Sequence, residues 1–388
     1  MNVARRGRPQ ICVVAAAPLT LKTFLLGHIE AMLAMAEVTV VANFTEDDET
    51  FPWPAGIIRV AIPIARAIAP RTDLRALLAL YRLFRKQRHD LVHSITPKAG
   101  LLAMLAARLT KVPTRLHTFT GQVWITRSGP ARILLKNADR QIARLASHIL
   151  ADSNSQRDFL IAQGIVAPYK SAVIAQGSIS GVDSQRFRPD ADARERVRRR
   201  HGIPDGAVLF LYLGRIHRDK GLRDLAHAFA ALGTEFPQVH LLLVGPEETN
   251  LRNELSIAAG GCASRLHHSG LTDRPQEYFA AADVYCLPSY REGFGTTILE
   301  AAASGIPAIG SRIYGITDAI VENETGLLFK AGDAAELALC MRSLAADSAL
   351  RTRMGEAARA RAVRDFAANA VTAALMDCYR ALLGRQQG

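Results

Sequence analysis

At 388 residues, 49% hydrophobic and 22% charged, the chain has an ordinary globular composition and room for two or three domains. Intrinsic disorder, collagen and a small disulfide scaffold are excluded, and no apolar stretch approaches the roughly 18 to 20 residues that a membrane-spanning helix needs. The formal net charge of +12 is one-sided: residues 1–190 hold 25 Lys and Arg against 13 Asp and Glu, whereas residues 191–388 hold 23 against 23. A field of this kind favours an anionic partner, namely nucleic acid, an anionic membrane surface or a phosphorylated substrate. With aromatics at 6% and no stacking platform beside the charge, nucleic acid is set aside. Cys12, Cys262, Cys286, Cys340 and Cys378 are odd in number, widely spaced and without a CxxC pair, as free thiols of a reducing, cytoplasmic compartment are.

Arg5, Arg6 and Arg8 ahead of an apolar run ending at Ala15, Ala16 and Ala17 admit a short signal-peptide reading. Turn residues and an amphipathic helix follow directly, so residues 11–16 are read as a first buried strand. Further strands are expected at 38–42, 57–62, 91–95, 114–119, 148–151 and 172–175, with helices between most of them, including 21–35 and 101–109. Over residues 71–88 a helical stripe of Leu74, Leu77, Leu78, Tyr81 and Phe84 runs beside Arg75, Arg82, Arg85, Lys86 and Arg88. This is read first as a surface helix facing the core and second as a helix resting on anionic lipid headgroups.

Residues 181–206 are polar, charged and turn-rich, and the domain junction is placed there, giving domains 1–188 and 189–388. The second half repeats the alternation with strands at 208–213, 240–244, 266–268, 284–287 and 307–309, and from Asp333 onward two or three terminal helices are expected. Strands buried on both faces and joined by crossover helices form parallel sheets, so the fold class is α/β built twice. Two such domains are expected to face each other across a cleft at the carboxyl ends of their strands.

Two segments carry chemistry. After strand 208–213 comes Gly214-Arg215-Ile216-His217-Arg218-Asp219-Lys220-Gly221 and then a helix. A glycine at a strand end, two cations five apart and a helix N-terminus suit a diphosphate, although an ordinary basic turn gives the same spacing. After strand 284–287 comes Ser289-Tyr290-Arg291-Glu292-Gly293-Phe294-Gly295-Thr296-Thr297, leading to Glu300. Its glycines allow backbone amides to meet a second anion, and Glu292 and Glu300 are both placed to reach a ligand. For Glu300 a capping box with Thr297 is an alternative explanation.

Taken together, and with Leu242-Leu243-Val244-Gly245-Pro246, Gly270-Leu271-Thr272, Asp283, Pro288-Ser289, Thr325-Gly326-Leu327 and Gly181-Val182-Asp183, these segments resemble the retaining GT-B glycosyltransferases of family four, whose marks are G-R-x4-K-G and E-x7-E. The TPKAG stretch 96–100 and Phe119-Thr120-Gly121 are similar to transferases of bacterial surface polysaccharide assembly, covering capsule and lipopolysaccharide. The resemblance implies a GT-B fold of two Rossmann-like domains with C-terminal helices, an acceptor-binding first domain and a donor-binding second one. It further implies that Arg215 and Lys220 bind the diphosphate of a nucleotide sugar, Glu300 the ribose and Glu292 the hydroxyls of the transferred sugar. Gly214 would shape the turn, Gly245 and Leu271 would lie near the base, and the amides of Gly293, Phe294, Gly295, Thr296 and Thr297 would hold the distal phosphate and sugar.

One departure stands out. Where many members carry a histidine followed by glycine after strand 114–119, this chain has Thr120; His117 lies three residues earlier, on the other face by strand alternation. Thr120, Gln122 and His117 are therefore the candidates from the first domain, in that order. Asp190-Ala191-Asp192 reads as a solvated turn rather than a metal site, and His267-His268 as a strand end.

The expected activity is transfer of a hexose or N-acetylhexosamine from a UDP-sugar to an acceptor hydroxyl, with retention and without a metal or other cofactor. The expected acceptor is a lipid-linked saccharide, met at the inner face of the cell membrane by peripheral contact. A nucleotide-sugar epimerase or phosphorylase on the same fold, and a non-catalytic nucleotide-sugar-binding protein, stay open as rivals.

Overall fold

Alternate residues of Ile11-Cys12-Val13-Val14 enter separate apolar cores: Cys12 and Val14 join one, Ile11 and Val13 the other. A strand of period two placed between two helical layers requires this, and it makes residues 10–14 a central parallel strand. The computed structural model describes residues 7–65 and 68–384, so Arg5 and Arg6 of the signal-peptide reading lie outside the described residues. The chain divides into two units, Met1–Ser180 with Asn369–Gly388, and Gly181–Ala368.

Unit 1 holds β1 (Gln10–Val14), β2 (Glu37–Ala42), β3 (Ile58–Ala61), β4 (Leu91–Ile95), β5 (Thr114–Phe119), β6 (His148–Ala151) and β7 (Ser171–Val173). They form one parallel sheet in the order β3-β2-β1-β4-β5-β6-β7. Unit 2 holds β8 (Val208–Leu213), β9 (Val239–Val244), β10 (Leu266–Ser269), β11 (Val284–Leu287), β12 (Ala308–Ser311) and β13 (Gly326–Phe329), parallel in the order β10-β9-β8-β11-β12-β13. Both are doubly wound, Rossmann-like sheets. In unit 2 the strand order reverses between β8 and β11, so the loops leaving these neighbours occupy the position where such sheets bind ligands.

Three expectations need correction. Residues 181–206 are not a loose linker: Val182, Phe187 and Val197 belong to the core of unit 2, and the helix Ala191–Arg200 is fastened by Arg194 and Arg198 to Asp283. The junction therefore falls at Ser180 and Gly181 rather than after 188. Three helices do close the chain, Ala334–Ala346, Ser348–Asp365 and Ala368–Gly384, but the last packs Leu375, Met376 and Tyr379 on the unit 1 sheet, where the Tyr379 hydroxyl pairs with His93 Nδ1 at 2.7 Å. An apolar helical stripe does not name the sheet it will cover. Third, the helix Pro70–Gln87 buries Ala76, Leu80 and Phe84, so its core face is rotated from the expected stripe and leaves Leu74 57% and Leu78 44% exposed.

Asp190-Ala191-Asp192 is a helix start rather than a turn: Asp190 is the N-cap, its carboxylate accepting the Ala193 amide at 2.9 Å, and Asp192 lies in the first turn, where an acid suits the helix dipole. No helix among the described residues is long and apolar enough to cross a membrane.

Candidate active site

Leaving β8, the chain pairs at once with the loop after β9. The Ile216 amide donates to Pro246 O at 2.8 Å and the Glu248 amide to Ile216 O at 3.1 Å. This contact needs Gly245, whose φ is +141°: a Cβ there would come 2.0 Å from Gly214 O. The two loops so joined pair the Arg215 guanidinium with the Glu248 carboxylate. Beneath them the buried Tyr212 hydroxyl donates to Arg215 O at 2.8 Å, and burial with the nearby Glu292 charge raises its pKa.

The same segment is knitted to the loop after β11. Gly221 has φ +65° and a Cβ there would lie 2.0 Å from Pro288 O, so only glycine lets these backbones meet. Above that contact Lys220 Nζ donates to Glu292 Oε1 at 2.6 Å, and Ser289 Oγ donates to the same oxygen at 2.7 Å. Arg291 pairs with Asp219 at 3.1 Å, the Tyr290 amide donates to Asp219 O at 3.0 Å, and the Tyr290 hydroxyl donates to Asp224 at 2.6 Å. Two segments about seventy residues apart in sequence thus form one surface of unit 2.

Glu300 enters this surface from the helix Thr296–Ala303. The helix is capped by Gly295 with φ +77° and makes no side-chain cap bond, so the capping box of Thr297 and Glu300 does not form. The Thr297 hydroxyl is instead bridged, at 2.7 Å, to the Tyr285 hydroxyl, which also reaches Leu213 O at 3.2 Å. Tyr285 feels the negative charges of both Glu292 and Glu300, which with burial raise its pKa. The Glu300 carboxyl has no hydrogen-bond partner among the described residues; burial pushes its pKa up to about 7, opposed only by the Arg186 charge. Helix geometry leaves it unexplained and therefore available to a ligand.

That shift has a measurable sign. A carboxyl whose pKa is higher in the folded than in the unfolded chain makes stability fall as pH rises from the ordinary carboxylate range through about 7. Glu300→Gln, neutral throughout, is therefore expected to raise the melting temperature at pH 8 and to leave it unchanged at pH 4.5. Equal melting gains at both pH values would remove ionisation as the cause.

The remaining sequence candidates fall into three groups. The Thr296 and Thr297 amides occupy the first helical turn, ahead of any carbonyl four residues back, and Gly293 and Gly295 flank the entry to it. Leu271 is 78% exposed in the loop after β10, on the same carboxyl edge of the sheet; the Phe294 ring is buried against Phe366, so only its backbone faces the loop. In unit 1, Thr120 follows β5 and its carbonyl accepts Gln122 Nε2 and Gln156 Nε2, each at 2.8 Å. His117 is corrected to a core residue. It is enclosed against Gly100 and Phe119, its Nδ1 pairs with Ser94 at 2.8 Å, and burial lowers its pKa to about 3.

Sequence reasoning missed Glu248, the buried phenols of Tyr212 and Tyr285, and Asp152. Asp152 follows β6 at the edge that also carries Thr120. It is buried with Oδ1 unpartnered, and desolvation pushes its pKa up to about 8. A single acid ahead of the Ser153 N-cap carries no spacing signal.

Family models decide the assignment. Residues 193–361 match glycosyl transferases group 1, and residues 22–177 match the glycosyl transferase 4-like domain. The chain is 30% identical to the capsular polysaccharide biosynthesis glycosyltransferase CapM of Staphylococcus aureus, over 84% of this chain and 86% of that one. The chain belongs to the GT-B glycosyltransferases of family-four type. This glycosyltransferase is also 28% identical to the UDP-Gal:alpha-D-GlcNAc-diphosphoundecaprenol alpha-1,3-galactosyltransferase of Escherichia coli, over 70% of each chain. Its fold matches that of sucrose-phosphate synthase from Thermosynechococcus elongatus with a TM-score of 0.82 at 22% identity, over 97% of this chain and 100% of that one. The glycosyltransferase uses a nucleotide-sugar donor.

Proposed function

We propose that the enzyme transfers a hexose or N-acetylhexosamine from a UDP-sugar, with retention and without a metal, to a lipid-linked saccharide of cell-surface polysaccharide assembly. The observation that carries this reading is the joined pair of Lys220 and Glu292 beside an unpartnered Glu300 at the carboxyl edge of β8 and β11. Glu300 takes the ribose hydroxyls and Glu292 the sugar hydroxyls, leaving its Oε2 for that purpose. Lys220 has three N–H donors and gives one to Glu292, so two are left for the diphosphate, which Arg215 and the Thr296 and Thr297 amides also meet. As the glycosidic bond breaks, charge grows on the departing diphosphate, and these fixed donors stabilise it more than they stabilise the bound donor. The acceptor proton passes to the leaving diphosphate on the same face.

Turnover and thermal shift with UDP-, GDP- and ADP-sugars test the donor, and the anomeric proton signal of the product tests retention. Donor consumed without acceptor and with inversion at a sugar carbon would make it an epimerase; free phosphate as acceptor would make it a phosphorylase. Chelator that abolishes turnover would remove metal independence.

The lipid-linked acceptor is supported by the galactosyltransferase relative and by the helix Pro70–Gln87, where exposed Leu74 and Leu78 sit among Arg71, Arg75 and Arg82. Such a face suits insertion of leucines between anionic headgroups that hold the arginines. Phosphatidylglycerol vesicles are expected to retain the enzyme at low salt and release it at high salt, with retention cut several-fold by Leu74→Ser with Leu78→Ser. Indifference to such vesicles at low salt would remove the peripheral contact.

A further inference from the structure

Unit 1 carries a second basic site, at the amino-terminal edge of its sheet, opposite the edge from which Thr120 and Asp152 emerge. Where β5, β6 and β7 begin, an open cavity of about 560 Å³ is lined by Arg108, Arg115, Arg144, His148, Tyr169 and Lys170 among others, and no carboxylate lines it. Part of this charge has a structural purpose. Arg115 donates to Leu145 O at 2.8 Å and to Val112 O at 2.7 Å, and Lys170 donates to Ala143 O at 2.5 Å, so both close the C-terminal turn of the helix Gly129–Leu145.

Arg108 and Arg144 have no such purpose. Each sits in the last turn of its helix with an exposed side chain that makes no hydrogen bond and no ion pair among the described residues. None of the four cations meets a carboxylate among the described residues. Their mutual repulsion is visible: with burial, the Arg108 charge lowers the pKa of Arg115, and the Arg115 charge lowers that of Lys170. Four like charges around a concavity, two fixed to backbone and two with all donors unused, are relieved by a multiply charged anion rather than by a chloride-sized one.

We propose that this cavity binds a phosphate-type anion, at a site that shares no residue with the donor surface of unit 2. The anion is either a soluble phosphoanion or the headgroup of an anionic lipid, and the two sources separate by experiment. The probe for the first is inorganic pyrophosphate, titrated calorimetrically into the full chain carrying Arg215→Ala with Lys220→Ala, which removes both cations assigned to the diphosphate in unit 2. Saturable binding is expected to persist in that background and to weaken at least tenfold when Arg108→Gln and Arg144→Gln are added. The probe for the second is a phosphatidylglycerol vesicle. Vesicle retention lowered tenfold by the same pair, with no pyrophosphate binding, assigns the headgroup.

Pyrophosphate and vesicle affinities that are both unchanged by the pair would overturn the proposal. If the pair impairs folding, the His148 ring proton signals of the unsubstituted protein serve instead: they are expected to move saturably with pyrophosphate or with a short-chain phosphatidylglycerol. Signals that stay fixed with both would equally overturn it.

Discussion

Lys220→Ala is expected to lower kcat by about two to three orders of magnitude while leaving KM for the donor within a few-fold, the pattern of a group whose contribution grows as charge develops. Lys220 closes the turn Arg218–Lys220, and among the described residues its ammonium group is paired with the Glu292 carboxylate, at 2.6 Å. Both side chains are 16% exposed, so their charges act through a medium less polarisable than water. The substitution also takes one of two donors from Glu292, with Ser289 remaining at 2.7 Å, and melting temperature therefore has to be read alongside rate. Lys220→Arg helps to separate the effects. It keeps a cation for Glu292 but replaces a compact ammonium by a planar fork, and turnover is expected to recover only in part. A K220A enzyme with unchanged kcat would reject the charge-stabilising role, whatever its stability.

How far the molecule could be read in advance depended on which physical signal each part sends. Buried parallel strands announce themselves as short runs of Val, Ile and Leu between helices, and twelve of the thirteen strands among the described residues are expected on that basis. β13 (Gly326–Phe329) is not among them, because Thr325-Gly326-Leu327 enters only as part of the family pattern; it becomes a strand by pairing with β12, and the Arg312 amide donates to Phe329 O. The two candidate donor-site segments were legible because glycines, cations and acids recur there at fixed offsets, and the structure joins them through Gly221 against Pro288 and Lys220 against Glu292. Pairings across long loops were not legible. Nothing in the spacing links Arg215 to Glu248, or turns Tyr212 and Tyr285 into buried supports of both segments. The first-domain candidates fared less evenly: strand alternation separated His117 from Thr120, but only the packing of Gly100 on its ring shows that His117 is enclosed.

Asp283→Asn is expected to destabilise unit 2 by about 3–5 kcal/mol, because it removes the anion from a buried ion pair and leaves the cation in place. Asp283 lies just before β11 and was part of the family pattern without an assigned purpose. Its Oδ2 takes Arg198 Nη2 and the Leu209 amide, each at 2.6 Å, and its Oδ1 takes Arg194 at 2.7 Å. The Arg198 side chain is only 2% exposed, and its other donors reach Ala281 O, Pro204 O, Asp205 O and Ala207 O at 3.0 to 3.1 Å. Asparagine keeps the volume but offers an amide group where two guanidiniums and a backbone N–H all need an acceptor. Arg194→Ala, at a side chain 35% exposed, is expected to cost less than about 1 kcal/mol, which separates the buried partner from the solvated one. Both tryptophans, Trp53 and Trp124, belong to unit 1, so their fluorescence follows that unit while circular dichroism follows both. In a denaturant titration of D283N the dichroism midpoint is expected to fall further than the fluorescence midpoint. A D283N chain whose dichroism transition coincides with that of the unsubstituted protein would mean that the helix Ala191–Arg200 is held to unit 2 by its apolar contacts alone.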